Sequence, residues 1–210
     1  MKTLMMILMM AISPVVLAQT QTQPAVPLTQ PAAQPTPEQI LFEDPATPRF
    51  GAKDAKLVLV SFTDYNCPYC KQFDPLLEKI VKEHPDVAVV VKLLPFRGPS
   101  SISSARAAMT VWEQQPEKFM ALHQRLMAKK GPHDEESIDA AIAKVGLAPV
   151  KVTPESYLTL KTNVEIAEVL GIQGTPATII GDQIIPGAIS YADLEELVNA
   201  QLDKIKNGKS

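Results

Sequence analysis

The sequence predicts an α/β protein in which a strand–helix–strand unit and a later strand–strand–helix unit are separated by a block of helices. Three observations support this class. Apolar runs rich in β-branched residues at 57–62 and 87–94 enclose a helical pattern at 68–84. Residues 99–170 carry only helical patterns. Two short strand patterns and an amphipathic helix then complete the chain.

The first unit contains the main predicted helix. Its apolar stripe at helical spacing consists of Phe73, Leu76, Leu77, Ile80 and Val81. Pro68 occupies an early position that a helix tolerates, and Pro85 marks the end of the helix. Before this unit, we expect a short edge strand at 41–43 and a turn at 50–51 that leads into the main strand.

The helical block divides into four segments at prolines and glycines. Helices are predicted near 100–115, 117–129, 134–145 and 153–170. Thr153 and Pro154 form a good helix start, because threonine caps a helix and proline is favoured at its first position.

The last unit begins with strands at 177–180 and 183–185. Gly181 and Asp182 lie between them, and this pair indicates a tight hairpin turn. Ser190 is expected to cap a final helix. The apolar stripe of that helix consists of Leu194, Leu197, Val198, Leu202 and Ile205.

Residues 1–18 have the features of a secretory signal peptide. Lys2 supplies a positive start, residues 4–12 form an unbroken apolar run, and residues 16–18 suit cleavage before Gln19. The run is too short to span a membrane. The sequence therefore predicts an exported protein that is not embedded in a membrane.

Residues 19–39 differ in composition from the rest of the chain. They are built from Gln, Thr, Pro and Ala, with five prolines and hardly any charge. Proline at this density prevents a continuous helix, so we expect a disordered tether. Apolar heptads are absent, so the segment is not expected to form an oligomerising stalk, and the protein is predicted to be a monomer.

The charge of the chain limits its partners. After the signal peptide, 19 basic residues stand against 23 acidic ones, which gives a formal net charge of −4. A mildly acidic chain with no basic cluster in its sequence argues against nucleic acid or anionic membranes as partners. Its length suits one domain with a substantial core, so a stabilising disulfide is not needed.

The segment Cys67-Pro68-Tyr69-Cys70 contains the only two cysteines of the chain. It follows a predicted buried strand and opens a predicted helix. A thiolate at a helix N-terminus faces unpaired N–H groups and the positive end of the helix dipole, so its pKa falls and its reactivity rises. The pair therefore predicts thiol–disulfide exchange, in which one cysteine attacks and the other resolves the mixed disulfide.

Two structural interpretations of the cysteine pair are weaker. A disulfide that closes a loop of two intervening residues stabilises a protein little. A structural zinc site needs four ligands. The chain has no second cysteine pair, and His84, His123 and His133 are not closely spaced.

These features together resemble the thioredoxin superfamily, and within it the exported Dsb-type oxidoreductases, over residues 42–205. The resemblance rests on residues 62–70 around the cysteines, on Pro75 five residues after the second cysteine, and on Gly-Thr-Pro-Ala at 174–177. It implies a thioredoxin fold with an inserted helical subdomain. The core would occupy 40–98 and 171–206, with the insertion at 99–170 and a tail at 207–210.

The resemblance also implies roles for site residues. Cys67 is expected to be an exposed nucleophile and Cys70 a buried resolving thiol. Pro176 is expected to follow a cis peptide bond beside the cysteine pair, and with Thr175 to align an extended substrate strand. No cofactor is implied.

The two residues between the cysteines, Pro68 and Tyr69, are further candidates for substrate binding. Packing of the Tyr69 ring over the site is an equal alternative to substrate contact. Neither residue can be cationic, so we expect the helix N-terminus and local hydrogen-bond donors to stabilise the Cys67 thiolate. Thioredoxin-type enzymes often have a buried carboxylate six residues before the first cysteine, where this chain has Ser61. Water or Asp64 could replace that carboxylate, and Asp64 is equally well explained as a solvated loop residue.

Thr175 and the Phe-Thr-Asp before the cysteines resemble disulfide isomerases, whereas the helical insertion resembles the oxidase. Within the family, this mixture is most similar to the suppressor of copper sensitivity C proteins. The resemblance implies a periplasmic thiol–disulfide oxidoreductase with a possible link to copper stress. Its partners would be unfolded or misoxidised exported proteins and a DsbD-like membrane redox protein.

Three alternatives remain open from the sequence. The first is a protective protein that binds copper(I) through the thiolates of Cys67 and Cys70, which are soft ligands. The second is an oligomeric disulfide isomerase. The third is a non-catalytic adaptor, which the intact CxxC and Thr-Pro motifs disfavour.

Overall fold

The computed structural model of the chain describes residues 35–208. The predicted signal peptide at 1–18, residues 19–34 of the predicted tether and residues 209–210 of the predicted tail lie outside the described residues. Within residues 35–208, no helix has the length and apolar character that a membrane crossing requires.

Seven helices and five strands make up the described part of the chain. In chain order they are α1 (Pro37–Phe42), β1 (Arg49–Gly51), β2 (Leu57–Thr63), α2 (Pro68–Glu83), β3 (Val87–Leu93), α3 (Pro99–Gln114), α4 (Pro116–Ala128), α5 (Glu135–Lys144), α6 (Pro154–Val169), β4 (Ala177–Ile180), β5 (Gln183–Pro186) and α7 (Tyr191–Lys206). From β2 onward, the elements follow the predicted order. The predicted α/β class is confirmed.

The five strands form one sheet in the order β1-β3-β2-β4-β5. β2 and β3 are parallel, and the other pairs are antiparallel. Successive residues of a strand face opposite sides of a sheet. Leu57 and Leu59 accordingly join one apolar cluster, whereas Val60 and Phe62 join the other. Both faces are covered, which explains why β2 and β3 read as continuous apolar runs.

The predicted turns and caps of the second half of the chain are confirmed. Thr153 caps α6, with Pro154 as the first helical residue, and Ser190 caps α7. Ile180 pairs with Gln183 across the predicted hairpin, and the turn residue Gly181 has a φ of 61°. The positive φ at Gly181 is a conformation that residues with a side chain rarely adopt, and a Cβ atom there would also displace the Gln201 side chain, so the turn favours glycine.

Two predictions near the start of the fold are wrong. Residues 41–43 were expected as an edge strand, but α1 occupies Pro37–Phe42, because Thr36 and Gln39 form a capping box and Pro37 takes the first helical position. The described helix therefore begins inside the predicted tether. The expected turn at 50–51 is instead part of β1, which pairs with β3.

A buried lysine of β3 holds the α1 region against the sheet. The Lys92 side chain has no exposed surface, and Nζ donates to the Ile40 carbonyl and to Thr47 Oγ1, each at 2.8 Å. Burial lowers the pKa of Lys92 to about 8, although the nearby Asp44 carboxylate opposes this shift. All of these partners of the Lys92 charge lie in or just after α1, so the buried ammonium group is paired only when that segment is folded against the sheet.

Candidate active site

The chain places Cys67 at the end of a sharp turn between β2 and α2. Cys67 is the residue that caps α2, and Pro68 is the first helical residue. The Cys67 amide donates to the Asp64 carbonyl at 3.0 Å, which closes the turn. The sulfur therefore lies at a helix N-terminus, where the first amides have no partner within the helix.

Cys70 lies one turn further along α2, and both cysteines are free thiols. Burial acts to raise the pKa of Cys67, but hydrogen bonds from the Cys70 amide and thiol, the Thr175 side chain and the Tyr69 amide outweigh it, so the pKa is lowered. Burial raises the pKa of Cys70 to about 12, despite hydrogen bonds from Thr175 and Thr63. The two neighbouring thiols are thus shifted in opposite directions.

The exposure of the site differs in part from the prediction. Cys67 and Cys70 both have 0 % of their surface exposed. The expectation of a buried Cys70 is confirmed, whereas the expectation of an exposed Cys67 is wrong, because its sulfur lies against the Thr175 carbonyl. Pro68 is exposed, and Tyr69 is 61 % exposed. The Tyr69 ring therefore does not pack into the core.

The segment that precedes β4 lies beside the cysteines. The peptide bond between Thr175 and Pro176 is cis, as expected. The Cys67 Sγ donates to the Thr175 carbonyl at 3.3 Å, and the Thr175 side chain acts to lower the pKa of both cysteines. Pro176 is buried, and its carbonyl accepts from the Gly187 amide at 2.8 Å. The hairpin β4–β5 thus holds Thr175 against the sulfur.

Asp64 is a buried carboxylate that shapes the turn. Its Oδ1 accepts from the Asn66 amide at 2.8 Å and from Ser101 Oγ at 2.7 Å, and its Oδ2 accepts from the Arg97 amide at 3.1 Å. The interpretation of Asp64 as a solvated loop residue is therefore wrong. Ser61 is buried in β2 between Val91 and Thr178. The position six residues before Cys67 therefore carries a serine and no carboxylate.

Asn66 connects the same turn to two parts of the helical block. Its Nδ2 donates to Ser100 Oγ at 2.8 Å, and its Oδ1 accepts from the His133 amide at 2.8 Å. The residues just before Cys67 therefore take their hydrogen bonds from α3 and from the segment between α4 and α5.

Lys71 is a site residue that the sequence reasoning missed. It lies four residues after Cys67 on α2, and Nζ donates to the carbonyls of Lys129 and, at 2.7 Å, Gly131. Burial lowers the pKa of Lys71 and the charge of Lys129 adds to this, whereas Asp64 and then Cys67 oppose it. The positive charge of Lys71 therefore lies close enough to interact with a charge on Cys67, in addition to the helix N-terminus. The spacing of four residues on a helix was the available signal.

A buried polar chain next to the site was also missed. Tyr65 Oη is hydrogen-bonded to His123 Nδ1 at 2.9 Å, and His123 Nε2 lies 2.9 Å from Asp74 Oδ1. Phe119 stacks on the His123 ring with centroids 5.4 Å apart. Asp74 Oδ2 has no partner among the described residues. These hydrogen-bonded side chains join the turn before Cys67 to α2 and α4.

Between residues 35 and 208, no group of three or more His, Cys, Asp or Glu side chains is placed to hold a metal ion. The two thiols are the remaining soft ligands at the site.

Comparisons with known proteins agree with this geometry. The sequence matches the DSBA-like thioredoxin domain over residues 58–199. The catalytic domain of Proteus mirabilis ScsC is 56% identical with a TM-score of 0.78, over 80% of this chain and 95% of that one. A periplasmic thioredoxin-like protein from Salmonella enterica serovar Typhimurium is 53% identical with a TM-score of 0.78, over 80% and 96%. Disulfide bond formation protein D of Bacillus subtilis is 27% identical over 173 residues, which cover 74% of this chain and 77% of that protein.

The chain belongs to the DsbA-like thioredoxin domain family. It is a thiol–disulfide oxidoreductase of the DsbA and ScsC type, with Cys67 and Cys70 as its CxxC pair. The resemblance expected from the sequence is confirmed.

Proposed function

We propose that this protein exchanges disulfides with exported proteins in the periplasm, with Cys67 as the attacking thiol and Cys70 as the resolving thiol. The observation that supports the proposal is the opposite shift of the two thiols. A lowered pKa makes Cys67 the better nucleophile near neutral pH, and a pKa of about 12 keeps Cys70 protonated until it is needed.

In the reducing direction, the Cys67 thiolate attacks one sulfur of a substrate disulfide. The substrate S–S bond breaks, a Cys67–substrate mixed disulfide forms, and the other substrate sulfur leaves as a thiolate. Cys70 then loses its proton and attacks the Cys67 sulfur, which releases the second substrate thiolate. Two electrons pass to the substrate, and the protein is left with a Cys67–Cys70 disulfide. The oxidising direction is the reverse of these steps.

The substrate approaches Cys67 between two pairs of residues: Pro68 and Tyr69 on one side, and Thr175 and Pro176 on the other. Pro68 and Tyr69 are the exposed residues next to Cys67. We assign Thr175 and Pro176 to the alignment of an extended substrate segment, because they precede β4 and lie against the sulfur. Since Thr175 covers Cys67, the same contact must open when a substrate sulfur approaches.

We also propose a cellular setting for the protein. It has a cleavable signal peptide, it acts on misoxidised exported proteins, and its redox partner is a DsbD-like membrane protein. A link to copper stress is supported by the likeness to a suppressor of copper sensitivity protein, ScsC.

The protein is proposed to act as a monomer. Light scattering on the signal-free protein tests this oligomeric state. A stable oligomer that disappears when residues 19–34, which precede the capping box of α1, are deleted would contradict this point.

Two standard assays test the proposed activity. The reduced protein should reduce insulin, and the oxidised protein should oxidise reduced ribonuclease. Cys67→Ser should abolish both reactions, whereas Cys70→Ser should accumulate mixed disulfides that gel electrophoresis detects. Failure of the unaltered protein in both assays, or faster alkylation of Cys70 than of Cys67, would overturn the proposal.

A further inference from the structure

Two grooves lie beside the residues that surround Cys67, and they differ in charge. The first, with a volume of about 670 Å³, lies between the start of α2 and the segment that joins α4 to α5. We call it the basic groove. The residues that define it are Pro68, Lys71, Arg97, Lys129 and Lys130.

The basic groove holds four cations and no acidic residue. None of the four forms an ion pair with a carboxylate of residues 35–208. Lys71 and Lys129 are held by backbone carbonyls, whereas the Arg97 and Lys130 side chains are exposed. The whole chain is acidic, with a formal net charge of −3, so the groove is a local exception.

The sequence did not reveal this cluster because its members are far apart in the chain. Lys71 is on α2, Arg97 follows β3, and Lys129 and Lys130 follow α4. The fold brings them together next to the nucleophile. The expectation of an acidic chain without a basic cluster therefore holds along the sequence but fails on the folded surface.

The second groove adjoins Cys67 through Thr175 and Pro176 and has a volume of about 500 Å³. Its lining, from residues 170–177 and from Ile184, Pro186 and Gly187, includes no charged residue. Apolar side chains contribute much of its wall, among them Leu170, Ile172 and Ile184. We call it the neutral groove.

We propose that the substrate is an extended polypeptide segment whose cysteine has acidic residues on one side, bound in the basic groove, and uncharged apolar residues on the other, in the neutral groove. The inference rests on the proposed function and names the substrate class of the same site. Asp64 acts on Lys71 and Asp134 acts on Lys129 without forming an ion pair, so an acidic segment supplies the close carboxylate partners that the four cations lack. Clefts lined by one sign of charge concentrate ligands of the opposite sign and speed their association.

The test uses three synthetic peptides, each disulfide-linked to a neutral small thiol. They share an apolar segment on one side of the cysteine and carry three Glu, three Gln or three Lys residues on the other. A parallel set with the two sides exchanged covers the opposite chain direction. Acid-quenched exchange with the reduced protein gives a second-order rate constant for each peptide.

In one of the two sets, the Glu peptide should react faster than the Gln peptide, and the Gln peptide faster than the Lys peptide. The Glu-to-Lys ratio should be roughly tenfold or more at low salt, and it should shrink as salt screens the charges. Equal rates for the three peptides in both sets, with exchange intact, would overturn the inference and leave the proposed function standing. No exchange with any peptide would instead overturn the proposed function.

Charge-reversal variants locate the effect. Arg97→Glu and Lys130→Glu should each reduce the Glu-to-Lys rate ratio at least severalfold, and the ratio within one variant corrects for any general loss of activity. The matched control is Lys53→Glu. Lys53 is exposed and precedes β2, so it lies at the end of the sheet opposite to Cys67. A ratio that falls equally in the Lys53 variant, or that persists in both groove variants, would contradict the basic groove as the binding site.

Discussion

The sulfur of Cys67 lies 3.3 Å from the carbonyl oxygen of Thr175, although the two residues are 108 positions apart in the chain. The contact joins the N-terminus of α2 to the segment that enters β4. It requires β2 and β4 to be neighbours in the sheet, and they pair from Val60 to Phe62. The reactivity of the thiol thus depends on the sheet topology as much as on the CxxC motif.

Replacement of Thr175 by valine should raise the pKa of Cys67. Valine has a similar shape but cannot donate to the sulfur, so the thiolate loses one hydrogen bond. A hydrogen bond to a charged group contributes about 1.5 kcal/mol, so the rise should be about one pKa unit at most. The disulfide should become more favoured over the dithiol. Thiolate absorbance against pH and equilibration with glutathione measure the two effects.

Thr178 provides a matched control for that experiment. It lies three residues further along, in β4, and its buried hydroxyl has no partner among the described residues. Thr178→Val should therefore leave both the Cys67 pKa and the redox equilibrium unchanged. An unchanged Cys67 pKa in the Thr175 variant would show that the hydroxyl does not stabilise the thiolate.

The rate of alkylation should identify Cys67 as the reactive thiol over a wide pH range. Its lowered pKa keeps a larger thiolate fraction than an ordinary cysteine has, whereas Cys70 stays protonated below pH about 12. Iodoacetamide at neutral pH should therefore modify Cys67 alone, and the rate should level off below pH 9.0, the ordinary value. Peptide mapping by mass spectrometry gives the site, and Cys67→Ser should remove the modification.

The reduced protein should lose stability in alkaline solution because of Cys70. Its pKa is raised from 9.0 in a free chain to about 12 in the fold, so the folded state holds a proton that the unfolded state releases. The stabilisation is complete below pH 9.0 and is lost as pH rises toward 12. Urea unfolding of the reduced protein should show this decline, and Cys70→Ser should flatten it. A decline of the same size in Cys70→Ser would assign it to other groups.

His123 should be important for stability rather than for exchange chemistry. His123→Leu leaves Tyr65 and Asp74 buried without their shared partner, which should cost about 3 kcal/mol in the free energy of unfolding. Urea denaturation measures the loss. Gln124→Ala is the control, because Gln124 is the next residue and makes an exposed bond to Glu78. It should change stability by less than about 0.5 kcal/mol.

Local patterns predicted most of the fold correctly. The prolines, caps and apolar spacing act within a few residues of one another, so they placed the helices from α2 onward and the β4–β5 hairpin. The α1 helix was missed, although its capping box was readable in the sequence, because the proline-rich composition around it favoured a tether. Its anchor, Lys92, is 52 residues away from Ile40. No local pattern indicates such a contact.

In the candidate site too, local motifs predicted some residues, whereas features that depend on distant contacts were missed. The cysteines, Thr175 and the cis Pro176 could be found from short motifs. The burial of Cys67 and the cation at Lys71 depend on segments that meet only in the folded chain, near residues 175 and 129–131. For Asp64, the sequence left two equal alternatives, a substitute for the missing carboxylate and a solvated loop residue, because loop carboxylates usually face water. Its donors Ser101 and the Arg97 amide come from more than 30 residues away.

The hydrogen bonds of Asn66 have a consequence for engineering. The turn that presents the nucleophile is tied to Ser100 and to the backbone at His133, so the four helices between β3 and β4 are not a detachable module. A chimera that receives these helices from a relative must keep a hydroxyl at position 100 and an amide in the position of residue 133. Without them, the transplanted helices could pack well and still leave the cysteine turn unsupported.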